Sequence, residues 1–283
     1  MNNNFTISGF SDEISENINE QFEHLTKLGI KHFEIRGVNG KNISELTEEE
    51  AQEVKKLADS YGISVSSIGS PIGKIKIDEP FEPHLELLAH VIKLAKIFDT
   101  KYIRVFSFWV PQNEDATKYR DEVIVRMKKM CALAEKEDII LLHENEKKIY
   151  GDIASRCKDV LDSVNSPNLK AVFDPANFVE CNQQTYPEAY ELLKDYVVYI
   201  HIKDATDLGK VVPAGMGLGK IPELLSRFKN DGYNGFLSLE PHLNLFTGLA
   251  SLQDDTTAIE NKLNGPDAFT LAYNSLNKVL ETI

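Results

Sequence analysis

Cysteine is scarce, with only Cys131, Cys157 and Cys181 in 283 residues and no Cys-x-x-Cys pair. That argues against a zinc knuckle or a redox dithiol and fits thiols kept reduced in the cytosol. Basic charge is also short: 31 Lys plus Arg face 44 Asp plus Glu, and the net charge of -13 repels a phosphate backbone. Nucleic acid is therefore a poor partner. No uninterrupted run approaches the roughly 20 apolar residues of a membrane span. Met1-Asn2-Asn3-Asn4-Phe5 lacks the basic and apolar segments of an export signal, so a cytoplasmic protein without a membrane partner is expected. No Pro/Gly/Ser-rich linker divides the chain, and the expectation is one domain over residues 1–283.

What is present is ordinary globular material, 42% hydrophobic and 27% charged, enough to bury a sizeable core. Eight short apolar runs read as strands: Thr6 to Gly9, His32 to Arg36, Val65 to Gly69, Tyr102 to Phe106, Ile139 to Glu144, Ala171 to Asp174, Val198 to Lys203 and Phe236 to Glu240. Between them lie stretches of helical period, including Ile18 to Leu28, Glu48 to Tyr61, Pro83 to Phe98, Tyr119 to Lys136 and Ile221 to Asp231. Gly29, Gly62 and Gly232 stand where helices stop. The alternation predicts an α/β protein with a single (β/α)8 TIM barrel, an open doubly wound sheet being the alternative. Pro241 to Pro266 has no clear period and reads either as a lid over the catalytic face or as a disordered or merely packed insertion.

In such a barrel the active site lies at the C-terminal strand ends, and here those ends are polar. His143-Glu144-Asn145-Glu146, Asp174, His201-Ile202-Lys203-Asp204 and Glu240 all stand there. Strand alternation aims Tyr199, His201 and Lys203 at the barrel axis, with Ser238 and Glu240, Tyr102, Arg104 and Phe106, and Glu34 and Arg36. Converging carboxylates are costly in a low-dielectric mouth unless neutralised. One divalent ion bound by Glu144, Asp174, His201 and Glu240 would neutralise them, Mn²⁺ or Zn²⁺ first, with Co²⁺, Fe²⁺ or Mg²⁺ tolerated.

These motifs, in this order, resemble the xylose-isomerase-like superfamily, the sugar phosphate isomerase/epimerase group with its tagatose 3-epimerase-like and inositol-catabolism members. The carriers are His143-Glu144-Asn145-Glu146, Val172-Phe173-Asp174-Pro175-Ala176-Asn177, His201-Ile202-Lys203-Asp204, Ser238-Leu239-Glu240 and the Gly-rich Val212 to Ile221. The resemblance implies one metal on the four residues named and Glu144 and Glu240 as an acid and base pair either side of a small carbohydrate. An enediolate would form on proton removal beside a carbonyl, giving isomerisation or epimerisation. Many relatives carry His where Asn177 stands, and another His or Gly near Glu146.

Glu34, Arg104, Lys203 and Trp109 are candidate substrate contacts, set against a structural ion-pair network and core packing. Phe106, Phe108 and Trp109 read as a wall for a sugar face, and His143 as a packing residue rather than a ligand. Gly215-x-Gly217-x-Gly219 reads as an active-site loop rather than a phosphate cradle, because it lacks a dinucleotide fingerprint's context. A dehydratase of the inosose or dehydroshikimate type is the competing chemistry. A non-catalytic sugar-binding barrel stands further off, and an apurinic endonuclease further still, since 7 His suit a multi-zinc site poorly. A homo-oligomer is compatible with all of these.

Overall fold

The computed structural model describes residues 5–244 and 263–283. Eight parallel strands form it: β1 (Thr6–Gly9), β2 (His32–Ile35), β3 (Ser64–Ile68), β4 (Tyr102–Val105), β5 (Ile140–Glu144), β6 (Leu169–Phe173), β7 (Val197–Ile202) and β8 (Phe236–Leu239). Their order, β1-β8-β7-β6-β5-β4-β3-β2, leaves the chain neighbours β1 and β2 as the outer members. These two lie against each other and bring the sheet round into a barrel, so the open-sheet alternative is excluded. Every expected strand is present, with ends shifted by a residue or two: Val65 to Gly69 is Ser64–Ile68, and Ala171 to Asp174 begins at Leu169.

The helices are α1 (Ile18–Leu28), α2 (Glu48–Tyr61), α3 (Glu82–Ile97), α4 (Arg120–Glu135), α5 (Ala154–Val164), α6 (Pro175–Glu180), α7 (Tyr190–Leu193), α8 (Ile221–Asn230) and α9 (Gly265–Leu280). Local chemistry sets several ends. Thr47 and Glu50 form a capping box before α2, and Gly29 and Gly62 close α1 and α2 at φ of 73° and 66°. Among the described residues no helix is long and apolar enough to cross a membrane.

Side-chain alternation divides the core. Ile200 and Ile202 join the layer between strands and helices, whereas Leu142, Val172 and Tyr199 fill the barrel's lower interior. The Tyr199 hydroxyl is held 2.8 Å from Ser66 Oγ, so its polar end is satisfied at the centre of an apolar plug. Above this plug the interior turns polar.

The loops after β3, β4 and β5 are laced together above the barrel. Ile77 N–H donates to Trp109 O and Trp109 N–H to Ile75 O, both at 2.9 Å, and Val110 N–H donates to Lys148 O at 3.0 Å. Trp109 thus bridges Lys76 on one side and Ile149 on the other. The close approach depends on Gly73, at φ +91°, because a Cβ there would lie 2.0 Å from Phe106 O. Gly73 N–H donates to His84 Nε2 at 2.6 Å, which requires a neutral ring.

Burial, with Arg126 adding to it, pushes the His84 imidazole down to about 4. A depressed histidine stabilises the fold above its unfolded value of about 6.5, and that contribution disappears as pH falls from 6.5 towards 4. His84 is not wholly sealed, keeping 8% of its surface exposed, so screening limits the loss to about 1 kcal/mol between pH 7 and 5. Thermal melts at the two pH values should show His84→Gln, whose amide oxygen accepts the same N–H without titrating, losing less than the parent. Equal losses would remove His84 from the acid response.

Most of the predicted lid, Pro241 to Pro266, lies outside the described residues. Its first residues do not: His242 and Asn244 are buried in the mouth of the barrel.

Candidate active site

Four strand ends deliver Glu144 (β5), Asp174 (after β6), His201 (β7) and Glu240 (after β8) to one buried point. One ligand atom from each lies within 4.8 Å of all the others. Each arrives pre-aimed. Asp174 caps α6, its Oδ1 accepting Asn177 N–H at 2.9 Å, which leaves Oδ2 directed at the cluster. Asn145 clasps the same residue from both sides, donating from Nδ2 to Asp174 O at 2.9 Å and accepting Asp174 N–H at 3.0 Å. His201 Nδ1 lies 3.0 Å from Glu144 Oε1, and its Nε2 lies 3.2 Å from Glu34 Oε2. Glu34 in turn accepts from Ser238 Oγ at 2.8 Å. It is completely buried beneath His201, a place that suits orienting the imidazole.

The two oxygens of Glu240 face different neighbourhoods. Oε2 lies 3.0 Å from Lys203 Nζ and 3.5 Å from His201 Nδ1, while Oε1 lies 3.3 Å from both Arg36 Nη1 and His242 Nε2. Arg36 is held behind it by Asp12, at 2.8 and 3.1 Å, and by Glu13 at 3.2 Å. Asp12, Glu13 and His242 were not singled out from the sequence. The first two follow the first strand and the third stands two places past Glu240, so strand-end polarity and adjacency would have found them.

Acids outnumber cations in this mouth, and the titration behaviour records it. Burial raises the Asp174 carboxyl to about 8 despite Lys203, with Glu240 and Glu144 adding to the rise. Glu13 also rises to about 8, through burial opposed by Arg36. Burial works against charge on Glu144 too, but His201 and Arg104, whose Nη1 is 3.2 Å from Oε2, hold it near 2. Glu240 stays well below the carboxylate range because Lys203, His242 and His201 outweigh its burial. His201 is raised well above 6.5 by Glu144 and Glu34 against the effect of burial.

A metal ion fits this set. The donors are one imidazole nitrogen and three carboxylates, and Asp174 Oδ2 and Glu144 Oε2 are buried without a hydrogen bond. Asp174 Oδ2 has Lys203 Nζ at 3.0 Å, but only as a misaligned ion pair. Four donors sharing one ion at about 2.1 Å lie about 3.4 Å from one another, so side-chain movements of about 1 Å would bring the set together. Zn²⁺ or Mn²⁺ matches such donors.

The other predicted contacts divide. Arg104 and Lys203 reach the cluster; Glu34 lies behind it. Trp109 stands apart, more than a third exposed, on a cavity above strands β3 to β5. Phe106 lies beneath the Arg104 and Lys74 cations, 4.8 and 4.4 Å from its centroid, and Phe108 packs on Phe81 away from the mouth. Only Trp109 of the three is an exposed wall. His143 points out of the barrel against Gly151, where burial takes it down to about 4.

Asp204 explains the glycine repeat. Its Oδ2 accepts Gly215 and Gly217 N–H, both at 2.9 Å, and its Oδ1 accepts Gly219 N–H at 2.8 Å and Ala205 N–H at 2.9 Å. A Cβ at Gly217 would meet that carboxylate at 2.4 Å. The backbone nest that suggests a phosphate cradle is filled by the chain's own carboxylate.

The chain belongs to the xylose isomerase-like TIM barrel family, whose model matches residues 22–259. It is 20% identical over 176 residues to the 3-dehydroshikimate dehydratase of Bacillus anthracis, a match spanning 62% of each protein. A crystal structure of a probable 3-DHS dehydratase from that organism superposes with a TM-score of 0.75 at 16% identity, over 96% of this chain and 99% of the other. D-Psicose 3-epimerase from Clostridium cellulolyticum H10, solved with D-tagatose, gives 0.78 at 17% identity, over 98% and 99%. The IOLI protein, solved with a binding zinc atom, gives 0.77 at 14%, also over 98% and 99%. At such identities the structural likenesses establish the fold.

Proposed function

We propose that the chain is a single-domain, cytoplasmic, divalent-metal-dependent isomerase or epimerase of a small carbohydrate. The observation that carries this reading is the pairing of Glu144 and Glu240 at one buried cation-deficient point, reached from strands three places apart around the ring. Glu144, Asp174, His201 and Glu240 would hold the ion, which would supply Lewis-acid stabilisation of a developing oxyanion.

The chain's own groups do the rest. Glu240 Oε2 takes the proton beside the carbonyl, its low proton affinity rising as Lys203 turns from it to a substrate oxygen. Glu144, held ionised by His201 and Arg104, must first take a proton from water as Arg104 turns to the substrate, and then delivers it from the other side while Glu240 passes its own proton to solvent. Return to the same carbon on the opposite face inverts it; return to the neighbouring carbon isomerises the sugar. Glu34 and Ser238 keep His201 from rotating.

Elemental analysis of the purified protein is expected to find close to one divalent ion per chain. No affinity for any divalent ion would sink the site, and three ions per chain would favour a nuclease. Turnover of the right ketose in D₂O should place deuterium beside the carbonyl. Similarity to a dehydratase supports a second reading, in which the same proton removal expels a hydroxyl. Mass spectrometry separates them: an isomer keeps its mass, whereas a dehydration product is one water lighter.

A further inference from the structure

Each of the two glutamates at the centre has an arginine beside it, and both guanidiniums lie over one ring. Phe10, completely buried just past β1, donates its N–H to Leu239 O at 2.9 Å, one residue short of Glu240. Arg36 lies 4.3 Å from the centre of that ring and Arg104 5.2 Å, so one aromatic platform supports both cations. Otherwise the two are held very differently.

Arg36, buried just past β2, is gripped from behind. Its Nε and Nη2 fork onto Asp12 at 2.8 and 3.1 Å, Nη2 also reaches Glu13 at 3.2 Å, and Nη1 meets Glu240 Oε1 at 3.3 Å. Glu13 is itself held, accepting His242 N–H at 2.7 Å. Arg104 lacks such a grip. It meets Glu144 Oε2 at 3.2 Å as an ion pair and donates to Ser70 O at 3.2 Å, and its Nε is buried with no hydrogen-bond partner among the described residues. Turning Arg36 would break several charge-assisted bonds at once, whereas Arg104 has an unspent N–H and turns at less cost.

We propose that Arg36 is a positioning residue that fixes the orientation of the Glu240 carboxylate. It takes up Oε1 and leaves Oε2 facing His201 and Lys203, where an ion and the substrate's proton would meet it. The inference rests on the reading of Glu240 as ligand and proton acceptor, and it divides the pair: Glu240 is the immobile member, and Glu144 is the one whose arginine moves. A reacting group displaced by about 1 Å can lose about 10²-fold in rate, which is what a rigid clamp on Glu240 prevents.

Two charge-conserving variants test the idea. Arg36→Lys keeps the cation but loses the fork, so it cannot grip Asp12 at two points while reaching Glu240. Gly37→Ala leaves Arg36 in place and disturbs its anchor, since a Cβ at Gly37 would lie 2.8 Å from Asp12 Oδ2 and 2.9 Å from Asp12 Cβ. Gly37 has no left-handed φ, so this variant keeps its backbone should Arg36→Lys fail to fold.

Mn²⁺ titration of the metal-stripped protein, with the free ion read from its electron paramagnetic resonance signal, requires no substrate. Arg36→Lys should weaken Mn²⁺ binding about tenfold or more, and Gly37→Ala should weaken it by a smaller factor. With a ketose that the parent turns over, kcat of Arg36→Lys should fall about 10- to 100-fold while KM stays within about twofold, because Arg36 acts through Glu240 and not on the substrate. A role in packing alone would lower Tm and leave Mn²⁺ affinity and kcat of the folded variants unchanged.

The proposal is overturned if the parent binds no Mn²⁺, if both folded variants bind it as the parent does, or if KM rises while kcat holds, which would put the guanidinium on the substrate. Weakened Mn²⁺ binding in the variants, with no ketose exchanging deuterium in the parent, would retire the isomerase reading and leave the positioning role standing. Deuterium exchange at the parental rate in both variants, with Mn²⁺ binding unaltered, would do the reverse.

Discussion

Glu240→Gln should keep its fold and lose at least about 10²- to 10⁴-fold in turnover, the range that a general acid or base contributes. The amide is nearly isosteric but accepts no proton at neutral pH. Survival of the fold follows from the partners left behind: Arg36 retains Asp12 and Glu13, and Lys203 retains Asp174 at 3.0 Å. No buried cation is left without a carboxylate, so the 3–5 kcal/mol typical of a broken buried pair is avoided. Weakened metal affinity would deepen the loss, so metal content must be measured with the rate. A variant that keeps its ion and near-parental turnover would refute the assignment and leave Glu146 or Lys203 as the base.

Asp204→Ala is expected to be the most damaging single change outside the reacting centre. It strands four backbone N–H groups, of Ala205, Gly215, Gly217 and Gly219, that one buried carboxylate now satisfies. Bonds to a charged acceptor are worth more than neutral ones, and the two buried donors, Ala205 and Gly219, keep their desolvation cost once orphaned. A loss of roughly 3–5 kcal/mol follows, lowering Tm by roughly 6 to 20 °C in a chain of this size. Asp204→Asn should recover little, because its NH₂ would face two of the four N–H groups, either those of Gly215 and Gly217 or those of Gly219 and Ala205. A melt of Asp204→Ala within about 1 kcal/mol of the parent would show that the loop stands without its internal anion.

Periodicity carried the barrel because each strand and helix is patterned by neighbours within a few residues. The convergence of Glu144, Asp174, His201 and Glu240 was legible for a related reason: each closes a strand, and strand ends meet in this fold. Other features depend on partners far apart in sequence. Glu13 meets Arg36 and His242 across 23 and 229 residues, and no local pattern announces either contact. Glu34 was read as a substrate contact from its inward register; its place beneath His201 depends on a shift in the β2–β3 pairing between Phe33 and Glu34. Phe106, Phe108 and Trp109 read as one cluster, but the backbone turns Phe108 outward at φ 67°. The lacing of three loops is written in main-chain bonds, which any residue but proline can donate.

That lacing sets the grain along which the molecule can be recombined. Chimeras that import a single loop after β3, β4 or β5 from another barrel of this family would meet partners cut for a different edge. Crossovers placed just after β3 and after Gly151, so that residues 69–151 travel as one cassette, would keep together the bonds that join Ile75, Ile77, Ser107, Phe108, Trp109, Val110, Lys148, Tyr150 and Gly151.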